Sequence, residues 1–151
     1  MSYLCDTNVL LRVVNKNDPL RPVALTAIRT LRRRKETLHY TPQVVAEFWN
    51  VCTRPASARG GFGLSPAETE RRARVIEHYL AVLPDTLATY LEWRRLVVAY
   101  AVAGAAVHDA RLVASMKVYG VPHLVTFNVD DFRRYHDIAV IAPQALASHA
   151  P

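Results

Sequence analysis

The run Leu4–Cys5–Asp6–Thr7–Asn8–Val9–Leu10–Leu11 decides the fold. The residues leading into it, 2–5, are short and apolar, and they stop at a carboxylate, a hydroxyl and an amide. Residues 9–14 resume with helical composition, so the simplest reading is a strand, a polar turn and a helix. A carboxylate directly after a buried strand needs a reason, because Asp and Glu are almost never fully buried unless they are paired or bind a cation.

Working outward, Leu20, Val23, Ala24, Ala27, Ile28 and Leu31 form a 3.6-residue stripe that predicts a helix over 18–34. Residues 38–41 read as a strand stopped by Pro42, which suits the first turn of a helix over Pro42–Thr53. Pro55 and three glycines make 54–63 a loop. Ser65–Pro66–Ala67–Glu68 is a helix start, with a hydroxyl cap, proline at the first position and glutamate three residues after the cap. That helix is expected to reach about 83, and a further one to run from 87 to 103 before Gly104 breaks it. A helix over 107–119 is capped by Gly120. Strands over 123–127 and 138–141, with one helical turn over 129–134, complete the chain. Four short apolar strands separated by helices predict an α/β fold with a parallel sheet covered on both faces, in a single domain over 1–151. In such sheets ligands bind in the crevice beyond the carboxyl ends of the strands.

A chain of 151 residues buries roughly 70% of the surface that its unfolded form exposes, so the core needs no staples. Cys5 and Cys52 both lie in apolar surroundings and are expected to be reduced core residues. No stretch has the 18 consecutive apolar residues of a membrane span, and the first strand begins at the second residue, which points to a cytoplasmic protein. The net charge is +6, from 19 basic against 13 acidic residues, and 16 of the 19 are Arg. Arginine presents a planar fork suited to phosphate, so the balance favours an anionic partner such as nucleic acid. The apolar stripes at 65–103 exceed what one sheet face needs, and a second copy would cover the excess across a two-fold axis.

Against that basic background, four acidic positions follow buried elements or sit on their apolar stripes: Asp6, Glu47, Asp109 and the pair Asp130/Asp131. Each has an ordinary reading by itself. Asp6 and Asp131 could cap helical turns, Asp109 could answer a helix dipole, and Glu47 could face solvent. If they converge, two charges about 5 Å apart repel by about 3 kcal/mol at an effective dielectric near 20, which a divalent cation relieves. Asn128, directly after the strand over 123–127, adds an amide. All-oxygen ligation suits Mg²⁺ or Mn²⁺ rather than zinc, and no Cys/His spacing offers a zinc site. A phosphatase with an aspartyl nucleophile usually carries a second carboxylate two residues on, where this chain has Asn8.

Four segments, taken in order, resemble the ordered acidic motifs of PIN domains. They are residues 4–11, Pro42–Gln43–Val44–Val45–Ala46–Glu47–Phe48, His108–Asp109–Ala110–Arg111–Leu112–Val113–Ala114 and Thr126–Phe127–Asn128–Val129–Asp130–Asp131–Phe132. More narrowly, they are similar to VapC-like toxins of type II toxin–antitoxin pairs. The resemblance implies a three-layer α/β/α fold, Mg²⁺- or Mn²⁺-dependent endoribonuclease activity and neutralisation by a small antitoxin. It makes Asp6 and Asp109 the main metal ligands, and Glu47 the carboxylate that helps bind metal or position water. Asn128 and Asp131 would supply the fourth position, and Arg111 or Arg133 would hold the RNA backbone. Two other readings share these residues: a DNA- or structure-specific nuclease, and a PIN-like module that binds RNA or protein without cutting.

Overall fold

In the computed structural model, which describes residues 1–148, the chain runs β1 (Ser2–Cys5), α1 (Thr7–Val14), α2 (Arg21–Arg33), β2 (Thr37–Tyr40), α3 (Pro42–Thr53), α4 (Pro66–Tyr79), β3 (Ala81–Val82), α5 (Leu87–Ala99), α6 (Ala106–Tyr119), β4 (His123–Val125), a 3₁₀ turn (Val129–Phe132), β5 (Ala139–Ile141) and α7 (Pro143–Ala147). The three C-terminal residues of the expected domain, 149–151, lie outside the described residues.

All five strands are parallel, in the order β3-β2-β1-β4-β5. Parallel neighbours require crossovers, and crossovers are right-handed in nearly all proteins. From β1 the chain steps through β2 to β3 and then returns past β1 to β4, so α1–α4 and the pair α5/α6 fall on opposite faces of the sheet. The packing agrees: α1 touches α2 and α3, α3 touches α4, α7 lies on α2, and α5 packs on α6. The result is the expected three-layer α/β/α sandwich. Its central strands are apolar on both faces, with Leu4, Cys5, Leu124 and Val125 fully buried among Val9, Phe48, Val113 and Phe132. The strand order reverses between β1 and β4, which makes their carboxyl ends the topological switch point.

Several expected boundaries moved. The helix starting at Pro66 ends at Tyr79 rather than 83, because the chain turns extended and Ala81 and Val82 pair with His39 and Tyr40. This fifth strand escaped the sequence reading because it is a two-residue sheet edge with both side chains exposed. Its anchors are the flanking Leu80 and Leu83, which are buried. The strand expected over 123–127 stops at Val125, and the final helix α7, which buries Leu146, was not anticipated. Both cysteines are free and buried, and burial pushes the Cys5 thiol up to about 12 and that of Cys52 to about 11.

Helix α5 ends at Ala99 instead of reaching Gly104. Tyr100 is the cap residue, Ala101 adopts φ 47°, its N–H donates to the Val98 carbonyl (3.2 Å), and the Val102 N–H donates to Val97 O (2.9 Å). This is a Schellman stop with alanine at the left-handed position, where glycine is the usual residue. The left-handed region costs a residue with a Cβ about 1–2 kcal/mol. Ala101→Gly is therefore expected to raise stability by about 0.5–1 kcal/mol after the greater unfolded-state entropy of glycine is subtracted, read as a higher urea midpoint at unchanged m-value.

Candidate active site

Asp6 is the N-cap of α1, yet it is only 8% exposed. One of its oxygens accepts the Thr7 N–H at 2.7 Å. The other accepts the Thr126 hydroxyl at 2.7 Å and the Asn8 side-chain amide at 3.0 Å. Thr126 follows β4 and is fully buried, so this bond spans the switch point from one strand end to the next. Asn8 strengthens the same bridge. Its Nδ2 also lies 3.0 Å from the Thr126 oxygen, and its Oδ1 accepts the Phe127 N–H at 3.0 Å. Thr7 has a second task besides its N–H bond to Asp6. Its hydroxyl donates to Glu47 at 2.8 Å.

Glu47 does not face solvent as a lone glutamate. The second of its oxygens accepts Gln43 Nε2 at 2.8 Å, one helical turn back on α3, and the same nitrogen donates to the His108 carbonyl of α6 at 3.0 Å. Gln43 thus ties the two helical layers together beside the carboxylate. Sequence reasoning passed over it, since a glutamine on an otherwise apolar helix face carries no distinctive signal. Asp109 lies in the first turn of α6, where the helix dipole favours a carboxylate, and the N-cap Ala105 makes no side-chain bond.

The carboxylates sense one another. Burial, followed by the charges of Asp6, Asp131 and Glu47, pushes Asp109 up to about 6, with His108 partly opposing. Asp6 is also raised, mainly by burial and further by Glu47 and Asp131, against the lowering effect of its bonds to Thr126 and Thr7. Asp6, Glu47, Asp109 and Asp131 therefore share one electrostatic neighbourhood, drawn from β1, α3, α6 and the 3₁₀ turn. Asp131 does not cap that turn, which has no side-chain cap bond, and it is exposed. Asn128 is exposed as well and engages the network through its main chain, whose N–H donates to the Thr126 hydroxyl oxygen at 3.0 Å. Among the described residues, no three His, Cys, Asp or Glu side chains form a ready cation cage.

The two arginines expected to hold the RNA backbone are each paired with an acid. Arg111 pairs with Asp85 (2.8 Å) and Arg133 with Asp130 (2.7 Å), in both cases at the surface. Such pairs are worth little and exchange readily for other anions. Arg12 was not singled out from sequence. Its guanidinium lies over the Phe127 ring, 4.4 Å from the centroid, and donates to Asn8 O at 3.3 Å, while its buried Nε makes no hydrogen bond and lies 3.8 Å from the Asp18 carboxylate.

The PIN domain family profile matches residues 3–138. The chain belongs to the PIN domain family. Its fold is shared with solved structures of low sequence identity. VapBC2 of Rickettsia felis, bound to promoter DNA, aligns with a TM-score of 0.68 and 14% identity over 94% of this chain and 98% of that one. VapBC-1 of nontypeable Haemophilus influenzae gives 0.66 and 16% over 95% and 98%. VapC20 of Mycobacterium tuberculosis, a toxin that cleaves the sarcin–ricin loop, gives 0.61 and 19% over 85% and 92%. No curated protein matches the chain in sequence.

The raised Asp109 gives this PIN domain a pH signature. The folded protein holds a proton up to about pH 6 that the unfolded chain releases near 3.8. Between those values the native state binds more protons, so stability falls as pH rises. Asp109→Asn removes that penalty. In metal-free buffer its melting temperature should exceed that of the parent at pH 7.5, and the difference should shrink towards zero near pH 4.

Proposed function

We propose that this PIN domain is a metal-dependent endoribonuclease that hydrolyses RNA phosphodiester bonds as the toxin of a toxin–antitoxin pair. The observation that carries this reading is the hydrogen-bonded network at the switch point: Asp6 is buried and held by Thr7, Asn8 and Thr126, Thr7 also binds Glu47, and Gln43 links Glu47 to the residue before Asp109, whose carboxyl is pushed up to about 6. Groups that repel one another in the resting protein are poised to gain from a cation. The donor set fits Mg²⁺ or Mn²⁺, since it is all oxygen. Mg²⁺ usually keeps several waters and takes only one or two carboxylates plus substrate phosphates, so two carboxylate ligands would suffice. Asp6 and Asp109 are the proposed ligands. When bound, the ion supplies a water of lowered pKa and a positive charge facing the scissile phosphate.

The protein's own residues do the rest. Thr126, Asn8 and the Thr7 N–H hold Asp6 in one orientation and stabilise its charged form. Thr7 and Gln43 fix both oxygens of Glu47, which can then orient the attacking water and receive its proton. Asp131 adds negative charge at the mouth, and Asn128 acts from its rim. Arg12 and the exchangeable Arg111 and Arg133 offer guanidinium groups to the RNA backbone. A cognate antitoxin, a homodimer built on the exposed apolar residues Val75 and Tyr79 of α4 and Leu91 and Val98 of α5, and a cytoplasmic location complete the proposal. Among the described residues no helix is long and apolar enough to cross a membrane.

The test is cleavage of end-labelled single-stranded RNA, with matched DNA and structured substrates as competitors. Mg²⁺ or Mn²⁺ should support cutting, and EDTA should abolish it. Asp6→Asn and Asp109→Asn should each lose cleavage by at least 100-fold while keeping a cooperative thermal transition. Efficient cutting in EDTA, or by either variant, would remove the metal mechanism. A preference for DNA would replace the substrate.

Asn128 separates an outer position from a ligand. Its replacement by Ala should lower cleavage about 10- to 100-fold, the range for outer-shell partners of a metal. In calorimetry with Mn²⁺ the parent should bind one ion, and Asn128→Asp should raise affinity or add a second. Two ions already bound to the parent would overturn the one-metal assignment.

A further inference from the structure

Between the start of α5 and the start of α6 lies a cavity of about 420 Å³, walled by Tyr90, Trp93, Val107, His108 and Arg111 and bounded by Asp85. Its volume is in the range of small-ligand sites, about 300–1,000 Å³. We propose that this cavity is a nucleobase subsite, which takes one unpaired base of the RNA next to the cleaved phosphate. The inference rests on the ribonuclease reading above and names where that substrate is gripped.

Three observations support a base as the occupant. The first is a rigid aromatic wall. The indole N–H of Trp93 donates to the Val107 carbonyl at 2.9 Å, which locks the ring to α6, and Tyr90 lies beside it with ring centroids 6.1 Å apart. Tyr90 is 54% exposed, which leaves its ring open to a ligand. Unpaired RNA bases are recognised by stacking on such faces and on guanidinium planes.

The second is charge. Arg111 contributes a guanidinium whose surface pair with Asp85 is exchangeable, so the cavity offers a cation beside the aromatic faces. The third is continuity with the carboxylates. The wall residue His108 immediately precedes Asp109, and its carbonyl is bound by the same Gln43 nitrogen that binds Glu47. A base in the cavity would therefore lie against the helix turn that presents Asp109.

Binding and cutting can be read separately. In a Trp49→Phe background Trp93 is the only tryptophan, and its fluorescence should be quenched on titration with a 2′-O-methyl oligonucleotide that cannot be cleaved. Tyr90→Ala, an exposed change that should fold normally, is expected to weaken that quenching by about 5- to 150-fold in affinity, the range for loss of one stacked base. Substrates with a single abasic ribose should show one sensitive position near the cleaved bond, and Tyr90→Ala should impose no further loss on that substrate. Quenching absent in the parent, or Tyr90 and abasic penalties that multiply at every position, would overturn the subsite. So would Trp93 quenching that depends on protein concentration without RNA, which would give the cavity to a second copy. An RNA that quenches Trp93 but is never cut would leave the subsite standing and remove the nuclease reading.

Discussion

A buried carboxylate at the end of a central strand is the constraint on which the rest of this protein depends. Asp6 cannot be left without donors, and its position after β1 limits where they can come from. The Thr7 N–H is supplied by the helix that Asp6 caps, the Asn8 amide by the next residue, and the Thr126 hydroxyl by the end of β4. Satisfying one side chain thus pins the two strands that flank the switch point and fixes the first turn of α1. The same turn aims Thr7 at Glu47, so α3 is drawn into register with β1. The layout of the candidate site follows from hydrogen-bond completion around a single acid.

Repulsion is the counterpart of that order. Asp109 and Asp6 are both held above the ordinary carboxylate range, chiefly by burial and then by their neighbours. A structure optimised for stability alone would disperse these charges or pair them with arginine, which this chain has in excess. The guanidinium groups instead stand at the rim, on Phe127 in the case of Arg12 and on surface acids in the cases of Arg111 and Arg133. The division into an acidic floor and a basic rim suits a substrate whose backbone is anionic and whose reacting atom needs a cation.

Much of this was legible before any coordinates. The strand–Asp–helix punctuation, the proline starts at Pro42 and Pro66 and the Gly120 stop each rest on local chemistry, and they recur in the structure where expected. The acids could be located because a carboxylate beside a buried element is conspicuous. What escaped depends on partners distant in sequence. β3 exists only because β2 offers it an edge, and the stop of α5 uses alanine where the pattern asks for glycine. Gln43 matters through a carbonyl 65 residues away. Asp131 was open to two readings, a cap of its turn and the fourth acidic position; the turn has no side-chain cap bond, and the charge of Asp131 acts on Asp109.

The two cysteines place built-in probes in the core, one beside Asp6 and one towards the end of the Glu47 helix. Cys5 directly precedes Asp6, and Cys52 lies five residues beyond Glu47 on the same helix. With their thiols pushed up to about 12 and about 11, almost no thiolate exists at neutral pH in the closed protein. Alkylation then proceeds only through opening, and the rates at the two positions report the separate opening free energies of β1 and of the end of α3. The wild-type chain can therefore show, without added labels, whether the Asp6 strand and the Glu47 helix come apart together or one at a time.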